Sequence, residues 1–288
     1  MRRVLKWIGV VLGAIVGLVL IVAAILYVRT GMRLNKVYDI QPAAVVVPTD
    51  AASIERGAHL AAIFCAGCHG EDFSGTAFFE DESLGSIPAP NLTPGTGGAD
   101  SEFTDADWVL AIRHGLEPDG TPLLVMPSAS LYYLSDTDLG ALIAFLKSLP
   151  PVDKEWDERQ LTPLARILVA VGAMGDAISA ETIDHTGPRP VAPAAGVTVD
   201  YGEYLATTGG CRDCHGAGLT GGKSPDPAAP PAPDITPGGA LKTWTQADFV
   251  TAVHTRKSEF MPWEDLNHMT NDELSALWLY LQSFAPEK

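Results

Sequence analysis

The strongest hydropathy signal in this sequence is an uninterrupted apolar run near the N-terminus. Trp7–Val28 is a stretch of 22 consecutive positions without a charged side chain. As an α-helix it would extend about 33 Å, enough to cross the hydrocarbon core of a bilayer. We therefore predict a transmembrane anchor over residues 1–36, followed by a linker over 37–51. A cleaved signal peptide is the competing interpretation, but the run exceeds a usual signal-peptide core and has no clear cleavage site before Lys36.

Beyond the linker, apolar positions recur at helical rather than strand spacing. Four capping patterns mark helix starts, each with a Ser or Thr followed three positions later by an acidic residue. The helices that begin at the first and third patterns are expected to end near His114 and His254. Strand-like alternation is nearly absent, so the pattern predicts an all-α fold. The four patterns are Thr104 with Asp107, Ser135 with Asp138, Thr245 with Asp248, and Thr270 with Glu273.

The same order of motifs occurs twice in the chain, which indicates an internal duplication. We call residues 52–150 the first repeat and residues 198–288 the second repeat, and we expect each to form one domain. Residues 151–197 form a spacer between them. An apolar stretch in the spacer, from Leu164 to Ile178, is too short and too polar to span a membrane. It predicts one helix that packs on the first repeat.

Composition limits the classes of partner. The chain has 35 acidic and 19 basic residues, for a formal net charge of −16. Six of the basic residues lie within residues 1–36, which contain no acidic residue, so the rest of the chain is more acidic than the total suggests. Nucleic acid is therefore excluded as an expected partner. An acidic surface is compatible with docking onto a basic patch of a redox protein, and equally with a simple role in solubility.

Two pentapeptides use all of the chain's cysteines, and a histidine follows each pair directly. The C-x-x-C-H spacing is the attachment signature of c-type haem, in which two thiols bind the porphyrin and the adjacent imidazole ligates the iron. A redox-active C-x-x-C pair and a four-cysteine zinc site are the alternatives. The sequence therefore predicts two covalently bound haem c groups. The residues are Cys65, Cys68 and His69 in the first repeat and Cys211, Cys214 and His215 in the second.

These motifs and their surroundings resemble class I cytochrome c domains in tandem, over about residues 52–150 and 198–286. The stretch Ala89–Pro94, the Met126-Pro127 pair and the Leu134–Asp136 segment are similar to membrane-anchored cytochrome c subunits of periplasmic dehydrogenases. Those subunits often carry three haems and a C-terminal anchor, whereas this chain has two motifs and an N-terminal apolar run.

The resemblance also implies the remaining iron ligands. In class I domains a methionine on the loop before the last helix holds the far side of the iron, and Met126 and Met261 match that position. Methionine–histidine ligation raises the reduction potential of the iron. By the same resemblance, the carbonyls of Pro90 and Pro233 are expected to hold the proximal imidazoles.

A second implication of the resemblance concerns helix packing. Gly57 and Gly202 are expected where the first helix of each repeat crosses the last, against Phe145 and Tyr280.

Other residues could in principle compete for these ligand roles. Bis-histidine ligation would draw on further histidines, and Met269 lies near Met261. Only Met126 and Met261 match between the two repeats, so the rivals are interpreted as surface or packing residues. Met174 in the spacer is likewise interpreted as apolar packing. The histidines considered are His59, His114, His254 and His268.

Together these features predict an electron carrier rather than an enzyme. Haem c is attached outside the cytoplasm, so the expected location is the cytoplasmic membrane of a bacterium, single-pass, with both repeats on the periplasmic side. The expected donor is a dehydrogenase or a quinol-oxidising complex, and the expected acceptor is a downstream protein such as a terminal oxidase. The alternatives are a dihaem enzyme of peroxidase type, with one substrate-accessible haem, and an assembly subunit in which haem only stabilises the fold.

Overall fold

The N-terminal apolar run forms one long helix. A computed structural model of the chain describes residues 2–224, 229–258 and 260–285, so small parts of the predicted second repeat lie outside the described residues. Helix α1 spans Arg2–Leu34. Within the described residues it is the one helix long and apolar enough to cross a membrane. Its length and composition also fit a signal sequence.

The first repeat folds around two crossing helices, α2 and α6. Gly57 of α2 lies at the crossing: a Cβ there would lie 2.6 Å from the Ala141 carbonyl carbon and 2.8 Å from the Phe145 Cβ. The expected close approach is therefore confirmed. A π-helical turn, Leu110–His114, extends α4 to the predicted end. The helices of this repeat are α2 (Ala51–Phe64), α3 (Ala66–His69), α4 (Asp105–Val109), α5 (Ser128–Leu131) and α6 (Asp136–Leu146).

The second repeat reproduces this arrangement. Gly202 of α8 lies against α12, where a Cβ would lie 2.6 Å from the Ala276 carbonyl carbon and 2.8 Å from the Tyr280 Cβ. The two repeats thus use the same helix crossing to build separate hydrophobic clusters. The helices of the second repeat are α8 (Val199–Thr208), α9 (Cys211–His215), α10 (Gln246–Thr255), α11 (Trp263–Leu266) and α12 (Asn271–Gln282).

All four predicted helix starts are confirmed, but one cap differs from the others. Three of the patterns form reciprocal capping boxes. At Ser135 the hydroxyl accepts the Asp138 N–H, but the Asp138 carboxylate does not return the bond. Instead, Asp138 accepts hydrogen bonds from Arg56 and from Tyr204 of the second repeat. The Asp138 carboxylate therefore binds distant residues and does not cap the N-terminus of its own helix.

The all-α prediction needs a correction, because short antiparallel strands are present. β2 pairs with β1 at Phe79↔Ile87 and with β3 at Ser86↔Gln160. β4 pairs with β5 in a second small sheet. These strands are too short and irregular to show the period-two alternation of a half-buried strand. Their bounds are β1 (Thr76–Asp81), β2 (Gly85–Ala89), β3 (Gln160–Leu161), β4 (Thr220–Gly222) and β5 (Ala232–Asp234).

The spacer helix is shorter than predicted and has an additional packing partner. Helix α7 spans Pro163–Ala170 and runs beside the C-terminal turns of α1. Thr30 is fully buried there and donates a hydrogen bond to the Arg166 carbonyl at 2.6 Å. A hydrophobic cluster joins the end of α1, α7 and the first repeat, with Met174 packed against it as expected. The spacer therefore connects the apolar N-terminal helix to the first repeat.

Candidate haem-binding sites

The first C-x-x-C-H motif lies at a break between two helices. Cys65 ends α2, and the short helix α3 carries the rest of the motif. The Nδ1 of His69 lies 2.9 Å from the Pro90 carbonyl. A carbonyl can only accept, so Nδ1 carries the proton and Nε2 keeps its lone pair. Burial lowers the pKa of His69, and the Pro90 hydrogen bond offsets this only in part. The lowered pKa favours the neutral imidazole that a metal requires.

The second motif has the same geometry. His215 is buried at the end of α9, and its Nδ1 lies 2.8 Å from the Pro233 carbonyl. Both hydrogen bonds implied by the resemblance are therefore present. A carbonyl at Nδ1 fixes the tautomer and ring orientation of a ligating histidine and raises its basicity. Each repeat thus offers a fixed imidazole whose Nε2 is available as a ligand.

The cysteines do not fit either alternative chemistry. Burial raises the pKa of Cys65 to about 12, with smaller contributions from Cys68 and Asp265. Burial likewise raises the pKa of Cys211 to about 12. Redox-active C-x-x-C pairs instead need a lowered thiol pKa. Among the described residues, no three Cys, His, Asp or Glu side chains are grouped as metal ligands, which argues against a four-cysteine zinc site.

Met126 lies on a loop that the spacer holds in place. The residue is partly buried and packs against the hydrophobic cluster of the first repeat. Ser179 donates a hydrogen bond to its carbonyl at 2.6 Å, and the N–H of Val125 donates to the Ala177 carbonyl. Val125 has a φ of 71°, a conformation that costs energy for a β-branched residue. The surrounding contacts therefore compensate for strain next to the candidate ligand.

Met261 occupies the matching place in the second repeat. Pro262 follows it and leads into α11, as Pro127 leads into α5. The N–H two residues after each methionine donates to that methionine's carbonyl, at 2.7 Å for Met261 and 2.8 Å for Met126. The Met261 N–H is held by Ser258 at 3.0 Å. The two methionine turns are therefore equivalent, but in the part of the chain that is described only the first is tied to the spacer.

Among the rival ligands, His268 is exposed and the others are engaged elsewhere. The His59 ring lies 2.8 Å from Glu273 across the boundary between the repeats. His114 meets His185 of the spacer, Nδ1 to Nδ1, at 3.0 Å. His254 contacts the amide oxygen of Asn267 at 2.7 Å. Met269 is buried in the hydrophobic cluster of the second repeat.

The donor set fits covalently attached haem. Each repeat combines two C-x-x-C thiols, an imidazole with a free Nε2 and a methionine turn before the last helix. The cysteines of each motif would form the thioether bonds, and the histidine and methionine would hold the iron. When bound, haem c supplies an iron centre that changes oxidation state by one electron.

Comparison with known proteins identifies the first of these units. Residues 54–150 match the protein family described as cytochrome c. Residues 54–150 form a cytochrome c domain. Covalent haem c binding and electron transport are the properties that this family implies.

Several proteins similar to this chain are named as cytochrome subunits of dehydrogenases. The chain is 26% identical over 272 residues to the cytochrome c subunit of a quinone-dependent alcohol dehydrogenase of Gluconacetobacter polyoxogenes, covering 82% of this chain and 57% of that protein. It is 27% identical over 265 residues to the fructose dehydrogenase cytochrome subunit of Gluconobacter japonicus, covering 80% and 52%. The chain thus spans about half the length of these curated relatives.

A third relative is named as a diheme protein. The chain is 28% identical over 205 residues to a diheme cytochrome c-type protein of Cereibacter sphaeroides, with 64% of this chain and 66% of that protein covered.

A buried polar network between the two repeats was not anticipated from the sequence. Arg56 forms ion pairs with Asp138 at 3.0 Å and with Glu273 of the second repeat at 3.2 Å. The hydroxyl of Tyr204, in the second repeat, donates to Asp138 of the first repeat at 2.6 Å. In the same way, His59 of the first repeat contacts Glu273 of the second. The sequence signal for this network is a pair of polar residues three positions apart on each helix, Arg56 and His59 on α2 and Tyr201 and Tyr204 on α8. Within the described residues, this network joins the two repeats.

Glu273 gives the network a pH dependence. Burial would raise the pKa of this carboxyl, but hydrogen bonds from His59 and Thr270, together with the charges of His59 and Arg56, lower it to about 2. A carboxyl with a lowered pKa in the folded state stabilises the fold above its ordinary pKa of about 4.5, and that contribution is lost as the pH falls toward 2. After solvent screening it amounts to about 1–2 kcal/mol.

We therefore expect Glu273→Gln to flatten the loss of stability between pH 5 and pH 2 by about 1–2 kcal/mol, because the variant has no carboxyl to protonate. Chemical denaturation at several pH values measures this. Asp272→Asn, on the exposed face of the same helix turn, is the matched control and should keep the wild-type slope. An equal slope in the wild type and Glu273→Gln would contradict the assignment.

Proposed function

We propose that this chain is a membrane-anchored dihaem cytochrome c that transfers electrons between protein partners. The observation that carries the proposal is the repetition of the histidine geometry: His69 on Pro90 in the first repeat and His215 on Pro233 in the second. The second repeat lies outside the family match, but its described residues form five α-helices and two strands in the same order as those of the matched domain. Residues 52–150 and 198–288 are accordingly two cytochrome c domains.

The ligand pattern favours electron transfer over catalysis. With a histidine on one side and a methionine on the other, the protein would leave no coordination position for a substrate. The fixed imidazole orientation and the spacer contacts at Met126 keep the ligands in place. A site of this kind needs little reorganisation when one electron is gained or lost. The chain therefore acts as a carrier, with the dihaem peroxidase as the alternative.

The structure supports a retained anchor through the last turns of α1. Arg33 forms an ion pair with Glu181 of the spacer at 2.6 Å, and Leu34 is buried in the cluster that α1 shares with α7 and the first repeat. A helix whose end is part of the folded body holds that body close to the bilayer. The repeats would lie on the periplasmic side, because haem c is attached there.

The relatives suggest the class of electron donor. Proteins similar to this chain are named as cytochrome subunits of alcohol and fructose dehydrogenases. We propose that the donor here is a dehydrogenase of the periplasmic face or a quinol-oxidising complex, and that the acceptor is a downstream protein such as a terminal oxidase. The acidic surface favours a partner with a basic docking patch, through complementary electrostatic fields.

Haem stoichiometry and carbon monoxide binding test the proposal. The full chain, matured with haem and purified from membranes in mild detergent, is expected to contain two haems and to bind almost no carbon monoxide when reduced. Met126→Ala and Met261→Ala should each open one iron and bind about one carbon monoxide per chain. Met174→Ala is the control, because that methionine packs in the spacer cluster.

Two results would contradict the proposal. A single haem per chain would exclude a dihaem electron carrier. Rapid, stoichiometric carbon monoxide binding by one haem of the unmodified protein would favour the peroxidase-type enzyme.

A further inference from the structure

Each haem motif contacts the short helix that follows the methionine turn of the opposite repeat, α5 or α11. In the second motif, the carboxylate of Asp213 accepts a hydrogen bond at 2.8 Å from Ser130, four residues after Met126. In the first motif, Gly67 occupies the position that corresponds to Asp213. It lies against Asp265, which is four residues after Met261. The two contacts are therefore equivalent: the middle residue of each motif touches the residue four positions after the methionine of the other repeat.

The hydrophobic core fixes this arrangement. Ile63, two residues before the first motif, is 6% exposed and belongs to the hydrophobic cluster of the second repeat. Phe64 packs against the clusters of both repeats. The end of α2, which leads into the first motif, is thus anchored in the neighbouring repeat. The position of Asp265 relative to the first motif is set by the core and not by a flexible surface.

The Asp265 carboxylate lies directly over the backbone of the first motif. A Cβ placed on Gly67 would lie 2.6 Å from its Oδ1 and 2.8 Å from its Cγ, so only glycine leaves room for the carboxylate. Asp265 is half-buried, and within the described residues its carboxylate forms no hydrogen bond or ion pair. Its charged neighbours are His268 and Glu264 on its own segment and the Cys65–Cys68 pair across the boundary.

An unpaired, partly desolvated carboxylate is uncommon unless it has a role. Burial raises the pKa of Asp265, partly offset by His268, which is the energetic cost of keeping this charge in place. On the opposite side, Ser130 stabilises Asp213 by a hydrogen bond. Each haem motif therefore has an acidic side chain beside it, Asp213 within the second motif and Asp265 against the first, and only Asp265 comes from the opposite repeat.

We propose that Asp265, contributed by the second repeat, lowers the reduction potential of the haem bound by the first repeat. A negative charge near the iron stabilises the ferric form, which carries one more positive charge than the ferrous form. This inference rests on the proposed function, since it requires a haem in each repeat.

Redox titration of Asp265→Asn tests the inference. The reduction potential of the first haem is expected to rise by about 40 mV. This corresponds to a shift of about fivefold toward the reduced form, at 59 mV per tenfold change for one electron. The second haem should shift less than half as much. Met126→His and Met261→His assign the two potentials, because each lowers the potential of its own haem.

Two further variants separate this role from a general charge effect. Glu264→Gln removes the same charge from the adjacent residue, whose exposed side chain pairs with Lys257, and should leave both potentials nearly unchanged. Gly67→Ala introduces a methyl group that displaces the Asp265 carboxylate, and should raise the first potential as Asp265→Asn does. The double variant should show no additional rise.

Equal shifts in Asp265→Asn and Glu264→Gln, or no shift with both haems present, would overturn the inference and leave the dihaem carrier intact. A single haem per chain would instead overturn the proposed function, so the two failures can be told apart.

Discussion

Replacing Cys65 and Cys68 together with serine is expected to reduce the haem content of the purified chain from two to one. Serine cannot form the thioether bonds, and the first repeat would then lose the group around which its loops are arranged. The helices of this repeat are short and its connecting segments are long, so its native fold would be lost as well. Haem-stained gels, mass spectrometry and the pyridine haemochrome spectrum measure the stoichiometry.

The consequences of this double substitution should reach the second repeat. Ile63 and Phe64 are packed in or against the second repeat's cluster, and Arg56 pairs with Glu273. Unfolding of the first repeat would remove these contacts, so the second haem domain should unfold at a lower temperature than in the wild type. The reciprocal variant, Cys211→Ser with Cys214→Ser, is the matched control and should retain only the first haem. Two covalent haems in either variant would contradict the assignment of the motifs.

Substituting valine for Gly57 should be the most destabilising single change in the first repeat. The new side chain would collide with the Ala141 carbonyl and the Phe145 Cβ, which belong to the backbone and inner face of α6. Neither can move without separating α2 from α6. We expect a loss of about 3 kcal/mol or more in the free energy of unfolding, at the upper end of overpacking effects.

Thermal and chemical denaturation of the full chain in detergent, followed by circular dichroism and haem absorbance, would measure this loss. Ala52→Val is the control, because it adds a β-branched side chain at an exposed position of the same helix and should cost about 0.5 kcal/mol through helix propensity. Gly202→Val should reproduce the loss in the second repeat. A Gly57→Val variant as stable as Ala52→Val would show that α2 and α6 do not cross as described.

Local sequence signals predicted the helix starts well. A capping box involves residues within one helical turn, so Thr104, Thr245 and Thr270 identify helix starts without knowledge of the fold. The C-x-x-C-H motifs are equally local, because the spacing of thiols and imidazole is set by the porphyrin that they bind. The crossings at Gly57 and Gly202 and the carbonyls of Pro90 and Pro233 came from the resemblance to a family.

Several features that the sequence did not predict depend on residues far apart in the chain. β2 pairs with β3 about 75 positions further on, and neither strand has an alternating pattern long enough to detect. Helix α7 packs on the first repeat as expected, and its additional contact with the end of α1 joins segments more than 130 residues apart. His59 was interpreted as a surface or packing residue, and its partner Glu273 lies in the other repeat.

The sequence by itself predicted two haem-attachment motifs, four helix starts and an internal duplication, because each depends on spacing along the chain. Only the tertiary structure decided how the two repeats meet. Asp265 and Asp272 are both acids in the second repeat, yet one is exposed and the other lies half-buried against Gly67, almost 200 residues away. The burial of a charge depends on what the folded chain packs against it, and local sequence does not contain that information.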